Sequence, residues 1–244
     1  MDFDTPPQAG GLAADLASCP LFAALDETSR TRLLESHRVI QVAAGHSLLH
    51  EQDDGKGLFV FRAGIAKVRS IDFEGQEVVL SLLGPGEVCG EMAILGGGRR
   101  TADVICLTNC ELLLLRSAPF AALLHSDARL ALALARLEAQ RLQNLNRRFV
   151  GRESSAAQRL LAVLAALAKR SAPQASTTAP IPALPQRELA TLCGLARETT
   201  SRTLAGLRRQ GLVEQLPDGR LRLVASADQA LGGQAAFGEV LGLP

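Results

Sequence analysis

The chain has 244 residues, 47% of them hydrophobic, with a formal net charge of +1. That length suits two ordinary domains with cores of their own, and the apolar content excludes disorder over most of the chain. A neutral balance points by itself to neither nucleic acid nor membrane. No apolar run reaches the roughly 18–20 residues that cross a bilayer.

The first residues, Met1-Asp2-Phe3-Asp4, are acidic and lead into Pro6 and Pro7. With no basic start they are not read as a secretory signal, and a cytoplasmic location is expected. Residues 1–11 read as a loose tail. A helical segment is predicted over Leu12–Ala24, and a second over Glu27–Ser36. Asp26 is the N-cap of the second, and Leu33 and Leu34 lie on its inner face.

From Val39 to Arg116 short β-favouring runs alternate with glycine-bearing turns: Leu58–Phe61, Ala66–Arg69, Val78–Leu83, then Gly84-Pro85-Gly86. This spacing predicts an antiparallel barrel or sandwich. Glu91–Leu95 reads as a helical turn within it, and Val104–Leu115 as a resumed strand.

Pro119–Lys169 is rich in Ala, Leu and Arg and is predicted helical. Ala131, Ala135, Glu138, Leu142, Leu145 and Phe149 recur at 4-3-4-3-4 spacing, the seam of a coiled coil. Self-association along Ala135, Glu138, Leu142, Leu145 and Phe149 is the reading favoured over packing within one chain. Glu138 is its flaw, because a carboxylate in a seam must find a partner or water.

Ser171–Pro185 reads as a loop. Helix Gln186–Cys193, a turn at Gly194, helix Arg197–Gln210 and Gly211 as its C′ residue follow. Leu212–Leu216 and Arg220–Val224 form a hairpin around Asp218-Gly219. Helix–turn–helix plus hairpin is the winged-helix arrangement. Ser226–Pro244 is Gly- and Ala-rich and receives no role.

Charge is concentrated here. Pro185–Val224 holds seven arginines (187, 197, 202, 208, 209, 220, 222) against four carboxylates, 7 − 4 = +3. Such a locally basic domain fits a phosphate-binding footprint. Arg208 and Arg209 also fit a solvated helix face. Arg197, Glu198, Ser201 and Arg202 share one face of the second helix. The arginines suit guanine O6/N7 and the glutamate suits cytosine N4. Thr199 and Thr200 are candidate phosphate donors, and Arg187 joins the candidate DNA-binding set. Leu204 and Leu207 lie opposite and hold the helix to the body.

The five cysteines (19, 89, 106, 110, 193) and four histidines (37, 46, 50, 125) are scattered, so neither a disulfide framework nor a metal site is expected. Cys106 and Cys110 read as small core hydrophobes. An enzyme reading rests on Glu91, Arg100 and Cys89 beside a glycine loop. With no histidine near Cys89 to activate it, no catalytic residue is assigned.

Leu192-Cys193-Gly194-Leu195-Ala196-Arg197-Glu198-Thr199-Thr200-Ser201-Arg202 resembles the recognition motif of the CRP/FNR family of bacterial regulators. The likeness extends over about residues 12–224. It implies an α+β fold: a cyclic-nucleotide-type β-roll (a double-stranded β-helix, 1–118), a dimerisation helix (119–150), a winged helix–turn–helix (151–226) and a tail (227–244). Arg197, Glu198 and Arg202 match the readers of TGTGA half-sites, and Ser201 is the serine of the Glu-x-x-Ser-Arg pattern. A homodimer on palindromic DNA, with RNA polymerase as a further partner, is what the resemblance implies.

Gly84–Ala93 and Gly98–Ala102 look like the family's phosphate-binding cassette. Independently of the family, a glycine-bearing turn exposes N–H groups to an anion, Arg100 supplies a fork for phosphate, and Thr101 adds a hydroxyl. Glu91 suits a ribose 2′-OH. The competing reading pairs Glu91 with Arg100 across the loop. The resemblance implies cAMP as effector, held by Val68, Leu80, Ser81, Leu83, Gly90, Glu91, Met92, Arg100, Thr101 and Arg141. Leu145 and Asn146 stand where cAMP-binding members carry Thr-Ser or Thr-Asn. Asn146 can still bond a base edge and joins the ligand-binding set with Leu145, but Leu145 cannot bond a base, which leaves open another cyclic nucleotide, a cyclic dinucleotide, 2-oxoglutarate, or DNA binding without effector. A nucleotide-binding module with no DNA role is the remaining alternative. Neither haem nor an iron–sulfur cluster is expected: only Cys19 lies near the N-terminus, and Met92 occupies the place of an axial histidine.

Overall fold

Apolar alternation, glycine turns and a run of helix formers translate into a β-roll followed by helices and a small hairpin domain. The computed structural model describes residues 9–96, 98–150, 155–172 and 178–224, with the side chains of 9–10 and 147–150 left out. The tail 227–244, the start of the N-terminal tail and the side chain of Phe149 lie outside the described residues.

Helix α1 (Ala9–Ser18) buries Leu12 and Leu16, and α2 (Glu27–Leu34) buries Leu33. Asp26 caps α2 by accepting from Ser29 N at 2.8 Å, as its place before the helix predicts. Both helices pack into one cluster with Phe22 and Phe120, whose rings meet edge to face at 6.2 Å.

The roll consists of two four-stranded antiparallel sheets. One has the order β1-β8-β3-β6 and the other β2-β7-β4-β5. Their strands are β1 (Arg38–Val42), β2 (Ser47–Leu49), β3 (Gly57–Ala63), β4 (Ala66–Ile71), β5 (Glu77–Leu83), β6 (Val88–Cys89), β7 (Asp103–Cys106) and β8 (Cys110–Arg116), with α3 (Glu91–Leu95) after β6. The predicted strand Val104–Leu115 is in fact β7 and β8, one in each sheet. The break is made by Leu107-Thr108-Asn109: Ile65 N donates to Thr108 Oγ1 at 2.9 Å and Ala44 N to Asn109 Oδ1 at 3.0 Å. Cys106 and Cys110 are buried on either side of it, in the core between the sheets.

The long helical stretch is three helices: α4 (Ser117–Ser126), α5 (Ala128–Val150) and α6 (Ala156–Ser171). Asp127 leaves helical geometry (φ −120°, ψ 104°) and its Oδ1 takes Arg129 N at 2.9 Å, so the break is a side-chain cap. Ser155 and Gln158 form a reciprocal capping box at the start of α6.

The C-terminal unit holds α7 (Gln186–Cys193), α8 (Arg197–Arg209), β9 (Val213–Gln215) and β10 (Leu221–Leu223). Its apolar cluster, with Leu164, Leu189, Leu204 and Val213, continues into Ile65, Val79 and Leu82 of the roll. Two ion pairs cross the same seam. Lys67, 4% exposed on β4, lies between Glu77 of β5 (2.6 Å) and Glu188 of α7. Arg170 of α6, also buried, grips Glu87 with two bonds of 2.9 Å.

Burial works against the Glu77 carboxylate, but Lys67 and Arg69 outweigh it and hold its pKa below the ordinary value. A lowered folded-state pKa means that this contribution is whole above the ordinary carboxylate range and is lost as pH falls through the folded value. Lys67→Met should therefore destabilise the chain by about 1–3 kcal/mol at pH 7, since two carboxylates lose their shared cation. The loss should shrink as pH is lowered below about 4. Adding Glu188→Gln should restore part of it. Urea denaturation of the single and double variants across pH reads all three.

Candidate effector cavity and nucleic-acid interface

Between the roll and α5 lies a cavity of about 470 Å³, within the range of small-ligand sites. One wall is the cassette. Gly90 adopts φ 88° and ends the strand β6, so that Glu91 opens α3 and turns inward. A side chain at Gly90 would place its Cβ 2.2 Å from Arg100 Nη1, which explains glycine there on both conformational and steric grounds. Arg100 is 4% exposed. It donates from Nη1 to Gly90 O and from Nη2 to Gly57 O, each at 2.8 Å, and stacks over the Phe59 ring. Burial pulls its pKa below the ordinary arginine value.

The opposite wall is α5. Arg141 bonds Glu91 Oε1, donates to Val88 O at 2.6 Å, and reaches Glu138 Oε1 at 3.0 Å. Burial disfavours the Arg141 charge, yet Glu91 and Glu138 raise its pKa above the ordinary value. Glu138 is pushed up, by burial first. The sequence reading that pairs Glu91 with Arg100 is thus corrected: the cation on Glu91 is Arg141. Two buried polar atoms of this site lack a hydrogen bond among the described residues, Glu91 Oε2 and Arg100 Nε. An orphan acceptor and an orphan donor are the groups that a hydroxyl and an anion would satisfy.

Val68, Leu80, Ser81, Leu83, Gly90, Glu91, Met92, Arg100, Thr101, Arg141 and Leu145 all line the cavity. Asn146 does not. It is exposed, because 100° per residue carries it past Leu145 and away from the roll. The sequence reading missed Gln140 and Asn144, which do line the cavity. Their spacing from Leu137 and Arg141, one turn apart, marks the same helix face. In the proposed seam, Glu138 and Leu145 are half-buried at the cavity, while Ala135 and Leu142 are exposed, Leu142 by 60%. Cys89 is buried and its thiol pKa is pushed up by burial, unlike an activated nucleophile.

The second candidate surface is the start of α8. Gly194 (φ 59°) closes α7 in a Schellman turn: Leu195 N donates to Ala190 O and Gly194 N to Thr191 O, each at 3.0 Å. Arg159 of α6 donates to Cys193 O and to Gly194 O, tying this turn to the domain body. Arg197, Glu198 and Arg202 are exposed on one face, Ser201 is half-exposed beside them, and Arg187 is exposed on α7. Thr199 is half-buried. Thr200 is corrected as a phosphate donor: it is 0% exposed and its Oγ1 donates inward to Ala196 O at 3.1 Å. Leu204 and Leu207 are buried beneath, as their spacing predicts.

A cassette-lined cavity in a β-roll, joined by a long helix to a winged helix–turn–helix, defines a ligand-regulated DNA-binding protein. Comparison with known proteins agrees. The cyclic nucleotide-binding domain family matches residues 39–127, and the Crp-like helix-turn-helix domain family matches 158–226. The Cyclic AMP receptor protein of Thermus thermophilus is 32% identical over 196 residues, 80% of this chain and 86% of that protein. The cAMP-activated global transcriptional regulator CRP of Haemophilus influenzae is 28% identical over 172 residues, 70% and 77% of the two chains. The fold is shared with FixK2 of Bradyrhizobium japonicum (TM-score 0.68, 16% identity, 80% of this chain and 96% of that one). It is also shared with the c-di-GMP-responsive regulator CLP of Xanthomonas campestris (TM-score 0.64, 23% identity, 82% and 100%).

The chain belongs to the CRP/FNR family of transcription regulators. It is a regulator and not an enzyme.

Gly90→Ala and Gly86→Ala form a matched pair. Both glycines have positive φ, but a Cβ at Gly86 meets nothing closer than Ser18 O at 3.9 Å. Gly86→Ala should cost about 1 kcal/mol, and Gly90→Ala about 2–3 kcal/mol because Arg100 must move as well. Thermal denaturation reads the difference, and equal losses would show that Arg100 accommodates the methyl freely.

Proposed function

We propose that the protein is a homodimeric transcription regulator that reads a TGTGA-like palindrome under control of a cyclic nucleotide, most simply cAMP, bound between roll and α5. The observation that carries this reading is the pair of orphan atoms, Glu91 Oε2 and Arg100 Nε, on one cavity wall. They suit a ribose hydroxyl and a cyclic phosphate. Val68, Leu80, Ser81, Leu83, Met92 and Leu145 surround the sugar and base. Gly90 and Thr101 add backbone and hydroxyl donors.

Exposed Ala135 and Leu142, with Glu138 and Leu145 beside them and Phe149 continuing the seam, form the dimer face. A second copy would cover Leu142 and set the two α8 helices about 34 Å apart, one turn of DNA. Arg197, Glu198, Ser201 and Arg202 read base edges, while Thr199 and Arg187 contact the backbone. RNA polymerase is the downstream partner in this scheme. Effector binding acts by population shift: it favours the DNA-competent arrangement only as far as it binds that arrangement better.

The test is a thermal-shift screen of cAMP, cGMP, cyclic di-GMP and 2-oxoglutarate, followed by gel shifts on a TGTGA palindrome. cAMP should give the largest shift, and Arg100→Leu should abolish it. Unchanged cAMP binding in that variant, read by calorimetry, overturns the cavity assignment. Arg197→Ala should lose about 1–3 kcal/mol of discrimination at one guanine. An equal loss on every sequence would make Arg197 a phosphate contact. DNA affinity should also fall steeply with salt.

A further inference from the structure

The turn between α7 and α8 decides where the reading helix begins, and a residue outside both helices holds it. Arg159 lies in the first turn of α6 and is half-buried. Its Nη2 donates to Cys193 O and, at 2.7 Å, to Gly194 O. Those carbonyls lie at the C-terminal end of α7, where a helix leaves acceptors without backbone partners and carries the negative end of its dipole. The fit is close. A Cβ at Gly194 would come 2.7 Å from Arg159 Nη2, so the guanidinium occupies the space that the bare turn leaves.

Little else directs the start of α8. Its N-cap is Ala196, which has no side-chain bond to the first turn. The bonds inside the turn, Leu195 N to Ala190 O and Gly194 N to Thr191 O, shape it without fixing it to the domain. Leu195 packs on the apolar cluster, but apolar contact is not directional. Buried Thr200, Leu204 and Leu207 hold the middle and end of α8 and set its rotation. Arg197 and Glu198 precede that stripe, three and four residues after Gly194. Helix α6 is a fixed reference for them. A capping box closes its start, its residues from Leu160 to Ala168 are buried, and Arg170 binds Glu87 at its far end.

We propose that Arg159 is a positioning residue for base recognition: by gripping both carbonyls it sets the tilt at which α8 leaves the turn, and so places Arg197 and Glu198 against base edges. This rests on the DNA reading of α8 above. Two bonds from one nitrogen of a planar guanidinium fix a direction that a single bond leaves free. Hydrogen bonds to base edges weaken steeply with distance and angle, so a small tilt of the first turn removes them. Arg202, between Thr200 and Leu204, stands in the anchored part of α8 and depends on Arg159 less.

The experiment measures binding of the full-length protein, at saturating cAMP, to three kinds of DNA. These are a TGTGA palindrome, the same DNA with each half-site base pair replaced in turn, and random sequence. Arg197→Ala identifies the guanine that Arg197 reads, which the wild type should prefer by about tenfold or more. Arg159→Ala should cut that preference by about three- to tenfold while affinity for random DNA stays within about twofold. In the double variant the preference should fall no further than in Arg197→Ala alone, because a residue that acts through another adds nothing once the other is gone. Arg159→Lys keeps the charge but not the planar fork, should lose part of the preference, and carries the test should the alanine variant not fold. A phosphate contact by Arg159 would instead weaken every sequence equally, flatten the salt dependence and be restored by lysine. A purely structural role would lower the melting temperature and leave the base preference of the folded protein intact. Either result overturns the proposal while leaving the DNA reading in place. Equal wild-type affinity for the palindrome and for random DNA removes the DNA reading itself, and this inference falls with it.

Discussion

A carboxylate that is 2% exposed on a five-residue helix needs a cation, and in this chain the cation arrives from another element: Glu91 of α3 is met by Arg141 of α5. The Glu91 charge is not tolerable alone at that depth. The pair therefore pins the long helix against the roll and leaves a cavity between them. The residues on either side follow from it. Gly90 must be glycine so that Glu91 can turn inward beside Arg100, and Glu138, which shares Arg141 with Glu91, has its pKa raised by burial first and by the Glu91 charge after that. A ligand entering here meets a network that is balanced in charge but incomplete in hydrogen bonds, the condition under which a small polar molecule binds with specificity.

The same cavity is joined to the C-terminal unit through Glu87 and Leu82. Glu87 lines the cavity and accepts both bonds from Arg170 of α6. Lys67 makes a second tie, between the β4–β5 hairpin and α7. Apolar packing of Ile65, Val79 and Leu82 against the C-terminal cluster supplies the area, and the ion pairs supply the register. A change in the cavity that moves Glu87 must therefore be felt by α6. Effector control would need an element that two sites both bias, and Glu87 is a residue that touches both the cavity and α6.

How far the sequence speaks depends on whether a feature is local. Asp26 as a cap, Gly194 as a turn and the Arg197/Glu198/Ser201/Arg202 face are local in sequence and legible in it, since each is set by a few neighbouring residues and the helical period. The doubt over Glu138 in the seam is also legible, and its partner Arg141 stands at i+3 on the same helix, a local spacing. Partnerships of Lys67 with Glu188 and of Arg170 with Glu87 span 121 and 83 residues, and no local pattern announces them. Asn144 escaped for a different reason. Alignment by resemblance pointed to Leu145 and Asn146, but 100° per residue turns Asn146 outward and brings Asn144 to the cavity.

Thr200 shows why the recognition face is presented so cleanly. A threonine inside a helix with its hydroxyl returned to the carbonyl four residues back exposes no polar atom, so it can be buried at no hydrogen-bonding loss. Buried Thr200, Leu204 and Leu207 lie at i, i+4 and i+7 and anchor a single stripe of α8 to the domain. With that stripe fixed, rotation of the helix about its axis is fixed too. Arg197, Glu198 and Arg202 are therefore exposed by the packing of the opposite side rather than by any contact of their own. A helix proposed to enter a groove needs its exposed face free of internal partners, and buried Thr200, Leu204 and Leu207 are the residues that leave it so.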